Sequence, residues 1–174
     1  MNNNIEESLD DADDDITELN VAEQNLTHLI DLSKFNQLMH LNCSNNQITS
    51  LPELPSTLKH LNCSFNKIER LPKLPSTLIV LACGENQITS LPELPSTLTY
   101  LICFGNKITS LPELPSTLIE LWCFQNQIKS LPELPSTLIY LNCSFNKITN
   151  LPELPSTLEE LWLQQSNKKL TGIA

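Results

Sequence analysis

Residues 78–97 read LIVLACGENQITSLPELPST, and residues 98–117 read LTYLICFGNKITSLPELPST. Aligned without a gap, the two segments share one frame, L-x-x-L-x-C-x-x-N-x-I-x-x-L-P-x-L-P-S-T, with a period of twenty. The frame extends in both directions. Copies run Leu38–Thr57, Leu58–Thr77, Leu78–Thr97, Leu98–Thr117, Leu118–Thr137 and Leu138–Thr157, and a partial copy begins at Leu158. A divergent copy of 22 residues, Ile16–Gln37, precedes them and lacks both prolines. Repetition at such a period signals a solenoid, in which each unit buries its apolar side only against its neighbours.

Each position of the frame carries a physical instruction. Leu-x-Cys, as in Leu61-Asn62-Cys63, alternates as a strand does, so Leu61 and Cys63 face inward while His60, Asn62 and Ser64 face out. Asn46, Asn66, Asn86, Asn106, Asn126 and Asn146 recur where the chain leaves the strand. A side-chain amide buried there satisfies backbone groups at the turn, and stacked copies form a polar row through the array. The Ile and two Leu positions that follow return to the interior. Two prolines per repeat exclude a helical return, because each costs a helix interior roughly 3 kcal/mol. The return path is therefore extended or of polyproline II type, with little helix anywhere.

The frame resembles the short, proline-containing class of leucine-rich repeats found in bacterial effectors of the YopM and IpaH type, over Leu38 to about Leu163. The recurring cysteine and near-identical PELPST copies also resemble leucine-rich-repeat proteins of giant amoebal DNA viruses, and Ile16–Gln37 is closer to internalin-type repeats. The resemblance implies a right-handed solenoid, α/β by convention, with a curved parallel sheet on a concave face that binds proteins. Effector ligases of this type carry a separate catalytic domain with a nucleophilic cysteine; this chain ends at Ala174 and has no room for one, so ligase activity is not carried over.

Composition bounds the remainder. Net charge is -10, and seven of the twenty acids fall in residues 1–15, namely Glu6, Glu7, Asp10, Asp11, Asp13, Asp14 and Asp15. The body from Ile16 keeps thirteen acids against ten Lys and Arg, which disfavours nucleic acid and anionic membrane as partners. No run of about eighteen apolar residues suggests a membrane helix, and the start MNNNIEESLDDADDD lacks the basic and apolar regions of a secretory signal. A cytoplasmic location follows, and the N-x-S motifs at Asn42, Asn62 and Asn142 then carry no glycan. Residues 1–15 read as an acidic tail or short capping helix, and residues 158–174 as a cap or as an edge that pairs with another chain.

All six cysteines, Cys43, Cys63, Cys83, Cys103, Cys123 and Cys143, occupy one repeat position. Strands about 4.8 Å apart stack them as a row of small apolar core residues, too widely spaced for disulfides and not convergent as metal ligands are. His40 and His60 face outward on adjacent strands without a third ligand, which reads as polar surface. The Ser-Thr pair before each strand reads as turn chemistry. No phosphate loop, nucleophile elbow or Ser-His-Asp set is present, so neither cofactor nor catalysis is expected.

Variation among the repeats concentrates at the outward strand positions. They are His, Asn and Ser in the early repeats, then Val80, Tyr100, Ile102, Phe104, Trp122, Phe124, Tyr140 and Trp162, with Phe65 and Phe145 one place further on as a rim. Large aromatics gathered on one surface are the composition of a protein-binding centre, with Glu120, Glu160 and Lys107 as rim charge. The expected function is a non-catalytic module, monomeric, with a protein seated on this face. A self-assembling structural protein and an adaptor that recruits a separate ubiquitin ligase are the alternatives.

Overall fold

The computed structural model describes residues 13–163 and the backbone of 169–171. Nine three-residue strands follow in chain order: β1 Glu18–Asn20, β2 His40–Asn42, β3 His60–Asn62, β4 Val80–Ala82, β5 Tyr100–Ile102, β6 Glu120–Trp122, β7 Tyr140–Asn142, β8 Glu160–Trp162 and β9 Lys169–Thr171. They form one sheet in the order of the sequence, parallel from β1 to β8. No helix occurs among the described residues. The fold is thus the parallel-stranded solenoid that the period implies. The capping helix considered for residues 1–15 lies outside the described residues up to 12, and residues 13–15 enter as turn.

Register is set by the repeat itself. Leu19, Leu41, Leu61, Leu81, Leu101, Leu121, Leu141 and Leu161 oppose one another strand by strand, and all are buried. The 22-residue copy joins in the same register, and Phe35, wholly buried, fills its interior where the prolines are absent. A one-residue slip would move every leucine to the outer face, so the pattern tolerates no alternative pairing.

Hydrogen bonds extend the coupling well beyond the strands. After each strand the ladder continues, as in Cys83 N–H to Ile102 O (2.8 Å) and Glu85 N–H to Phe104 O (2.8 Å). A second ladder ties the isoleucine row, with Lys107 N–H donating to Ile88 O and Gln127 N–H to Ile108 O, both at 2.9 Å. A third was not expected. The Thr97 hydroxyl donates to Ser76 O (2.8 Å) and Leu78 O (2.7 Å), and Thr77, Thr117, Thr137 and Thr157 repeat the arrangement. The local turn is held instead by the backbone, Leu98 N–H to Pro95 O at 3.0 Å. Through Ser76 O the threonine therefore joins one repeat to the preceding one rather than closing a turn.

One residue in each 20-residue repeat adopts a left-handed backbone, Asn45, Phe65, Glu85, Gln125 and Phe145 at φ between 51° and 57° and Gly105 at 63°, and the 22-residue copy has two, Glu23 and Asn25. This conformation reverses the chain between the strand and the buried Asn. Side chains other than Gly and Asn hold it at a cost of about 1–3 kcal/mol each, offset by the ladder bonds on either side.

At the far end the chain doubles back. β9 pairs antiparallel with β8, Leu161 against Leu170. Strand β9 thus covers β8 and is itself the outermost described strand of the sheet.

Candidate functional site

The outward residues of the sheet form parallel rows, because in-register strands put equivalent positions side by side about 4.8 Å apart. The first row reads Glu18, His40, His60, Val80, Tyr100, Glu120, Tyr140, Glu160. The second reads Asn20, Asn42, Asn62, Ala82, Ile102, Trp122, Asn142, Trp162. Beyond the strand ends the ladder sets Gly84, Phe104, Phe124 and Ser144 in a third row. The eight residues from Val80 to Trp162 named above therefore share one face, split into a polar half over β1–β3 and an aromatic half over β4–β8.

Their exposure departs from expectation. Every one of the eight is half-buried rather than open to solvent. Phe104 and Phe124 stack face to face, with centroids 4.6 Å apart and planes within 2°. Phe104 also meets Phe65 edge-on at 6.2 Å, reaching across the intervening repeat. Gly84 permits this, because a Cβ there would lie 2.7 Å from the Phe104 ring. Offset and edge-on ring pairs add about 0.5–1.5 kcal/mol beyond their burial. Phe65 and Phe145 are the exposed members, at 49% and 36%.

Several small outward residues are buried. Ser44, Ser64 and Ser144 are buried, which corrects the outward, solvated assignment of the serines. Asn142 is 9% exposed, whereas Asn42 and Asn62 at the same position are half-buried. The difference is its flanks: Asn142 lies in register between Trp122 and Trp162. The Asn142 carboxamide oxygen accepts from the Ser144 amide and hydroxyl at 3.2 and 2.7 Å, so the covered polar group keeps partners.

Electrostatics on this half are acidic. Trp122 Nε1–H donates to Glu120 Oε2 at 3.0 Å, which fixes both side chains. Lys107 is not on the strand face. Its Nζ donates to Gln87 at 3.2 Å, in the row beyond the Asn turn. The sequence also hid a flank of half-buried apolar side chains, Met39, Ile79, Ile119 and Ile139, immediately before the strands. The visible signal was their recurrence at the second frame position, which the strand alternation does not use.

On the polar half the His40 and His60 rings stack at 4.3 Å and 5°. They border a hollow of about 280 Å³ with Glu18 and Val80. His60 Nδ1 is buried without a hydrogen-bond partner. Burial, then His40, then Lys59 hold its pKa below the ordinary 6.5. Parallel stacked rings do not converge on a common ligand position, and no group of three potential metal ligands occurs among the described residues.

Beneath the face lie the two structural rows. Asn106 Nδ2 donates to Cys83 O (3.0 Å) and Cys103 O (3.1 Å), and its Oδ1 accepts from Ile88 N–H (2.9 Å). Asn66, Asn86, Asn126 and Asn146 bridge their own and the preceding repeat in the same way, and Asn46 bridges to Val21 and Leu26. The six cysteines are buried free thiols. Burial pushes the Cys43 and Cys143 thiols up to about 12 and likewise holds the four between them well above the ordinary thiol value.

The return side carries a different surface. An open trough of about 2320 Å³ runs along the Pro-Glu-Leu-Pro-Ser segments, with Leu74, Leu94, Leu114 and Leu134 among its lining. Its lining is the same in nearly every repeat, so it offers a periodic surface without the differences that single out a partner.

A family model for leucine-rich repeats, in two copies, matches residues 36–76. No curated protein matches the chain. Among solved structures, a Shigella effector leucine-rich-repeat domain is similar at 37% identity and TM-score 0.72, over 85% of this chain and 65% of that one. YopM from Yersinia enterocolitica is similar at 33% identity and TM-score 0.67, over 84% of this chain and 39% of its own. The functional domain of InlJ from Listeria monocytogenes, described as including a cysteine ladder, is similar at 27% identity and TM-score 0.66, over 85% of this chain and 40% of its own. The chain thus spans between 39% and 65% of the lengths of these structures.

Proposed function

The chain is a leucine-rich-repeat protein resembling the repeat domains of bacterial effectors, and from that premise we propose that it is a non-catalytic binding module whose protein partner sits on the strand face over β4–β8. The fold is typical of protein-interaction modules, and no helix among the described residues is long and apolar enough to cross a membrane. One observation carries the choice of face. Within repeats that are otherwise nearly identical, the outward strand residues differ, and they differ toward Tyr100, Phe104, Trp122, Phe124 and Tyr140. Rigid half-buried aromatics lose little entropy on binding and supply large contact area, which is the usual make-up of an interface centre. The six thiols are buried, and no group of three potential metal ligands occurs among the described residues. The partner is a protein of the compartment in which the chain acts, read as the cytoplasm. We read the chain as a monomer, in which β8 is paired by the chain's own β9 and not by a second copy.

The test is affinity capture with the purified chain and its Trp122→Ala/Phe124→Ala variant. Both substitutions leave the leucine core intact, so circular dichroism is expected to be unchanged while the captured proteins are lost. Equal capture by both forms would reject the face.

A further inference from the structure

The strand face sets a carboxylate among aromatic rings. Glu120 lies in register between Tyr100 and Tyr140, and Trp122 follows on the same side of β6, its indole bound to Glu120 Oε2 at 3.0 Å. Glu120 Oε1 accepts no bond from a described residue. Among the outward strand positions from Val80 to Trp162 the charged side chains are Glu120 and Glu160, with Glu85 just past β4, and none is Lys or Arg. In β9, Lys169 comes opposite Trp162, three strands along the sheet from Glu120.

This arrangement constrains what can cover it. A protein resting on Tyr100, Tyr140 and Trp122 must also cover Glu120. An apolar cover would strand a carboxylate away from water, and an unpaired buried charge is among the most unfavourable things an interface can contain. A cation brought by the partner removes that penalty. It also gains from the ring faces around it. Arginine satisfies both demands, since its planar guanidinium stacks on aromatic rings while its N–H groups reach a carboxylate, whereas an ammonium is a compact, strongly hydrated charge.

Resting on the strand-face reading above, we propose that Glu120, framed by Tyr100, Tyr140 and Trp122, is the docking point for an arginine side chain in the partner's contact segment. The partner segment is then basic and apolar by turns, complementary to a chain whose net charge is -10.

Trp122 and Trp162 are the only tryptophans of the chain, so a Trp162→Phe background, with the indole excited selectively over the tyrosines, leaves Trp122 as the sole tryptophan reporter beside Glu120. The probe is an octapeptide alternating leucine and arginine, set against the same peptide with citrulline, which keeps the shape and loses the charge. The arginine peptide is expected to change Trp122 emission saturably, with the citrulline peptide about tenfold weaker. Glu120→Gln, which retains an acceptor for the indole, is expected to weaken the arginine peptide by about the same factor. Glu113→Gln, an equal change of charge in the return-side trough, is expected to leave it unaltered. Equal binding of the citrulline peptide, an unaffected Glu120→Gln, an equally weakened Glu113→Gln or no emission change at all would each overturn the proposal. If Trp122→Ala/Phe124→Ala abolishes protein capture while Glu120→Gln leaves it whole, the face stands and the arginine site falls.

Discussion

Asn106 engages backbone groups in two repeats with one amide, and its 8% exposure keeps water from replacing it. Each buried backbone group left unpaired costs about 1–3 kcal/mol. Asn106→Ala is therefore expected to lower unfolding stability by about 3 kcal/mol in urea titration. The same change at half-buried Asn146, where solvent reaches the turn, is expected to cost closer to about 1 kcal/mol. Equal losses at the two sites would show that burial is not what gives the amide its weight. The thiols below are governed by the same dryness. With burial holding Cys43 and Cys143 at about 12 and raising the four between them well above the ordinary thiol value, native protein at pH 7.5 is expected to leave all six unreactive to a chromogenic disulfide reagent, with six released in denaturant. His60 works in the opposite sense to an ion-paired group. Its folded pKa lies below 6.5, so the unfolded chain takes up the proton first and stability falls as pH drops through 6.5 toward the folded value. Denaturation midpoints at pH 7.5 and 5.5 are expected to fall further apart in the wild type than in His60→Asn.

At the scale of the element, β9 is the strand whose removal has the clearest consequence. It occupies the hydrogen-bonding edge that β8 would otherwise present, and an open edge is a template for another chain. Protein shortened after Leu163 is expected to elute at larger apparent size as concentration rises in sizing chromatography, while the full chain does not. The same element marks where the sequence stops being informative. Strand positions, register, the leucine interior and the absence of helix among the described residues follow from a frame repeated so nearly without change, because a solenoid unit meets only its neighbours and its neighbours are copies. β9 falls outside the frame, so nothing periodic announces it. The outward face is less legible for a different reason. Which residues share it follows from alternation, but how far each is covered depends on the size of the side chain one or two repeats away. Phe104 leans toward Phe65 because residue 84 has no side chain, and Asn142 is covered because its neighbours are tryptophans. The threonine ladder was hidden because Ser-Thr before a strand has an adequate local explanation, and only the geometry shows the hydroxyl crossing to the preceding repeat.

For the molecule as a whole, stability is a chain of nearest-neighbour couplings, since every ladder joins one repeat to the next. Where a defect sits should then matter as much as what it is. Leu19 and Leu101 occupy equivalent inward positions in β1 and β5, at 7% and 0% exposure. Truncating either to Ala costs about 2–5 kcal/mol locally. At Leu19 the loss is confined to an end, so the array can release β1 and keep the remainder folded. At Leu101 it severs the coupling between β4 and β6, and neither half can avoid the defect. Amide hydrogen exchange distinguishes the two. Leu19→Ala is expected to speed exchange at β1 and β2 and leave Leu121 and Leu141 at their wild-type rates, whereas Leu101→Ala is expected to speed exchange on both sides of β5. Because the proposed partner face spans that same central stretch, Leu101→Ala should also weaken capture and Leu19→Ala should not. Uniform acceleration from both substitutions would mean that the repeats unfold as a single unit, with no graded coupling along the array.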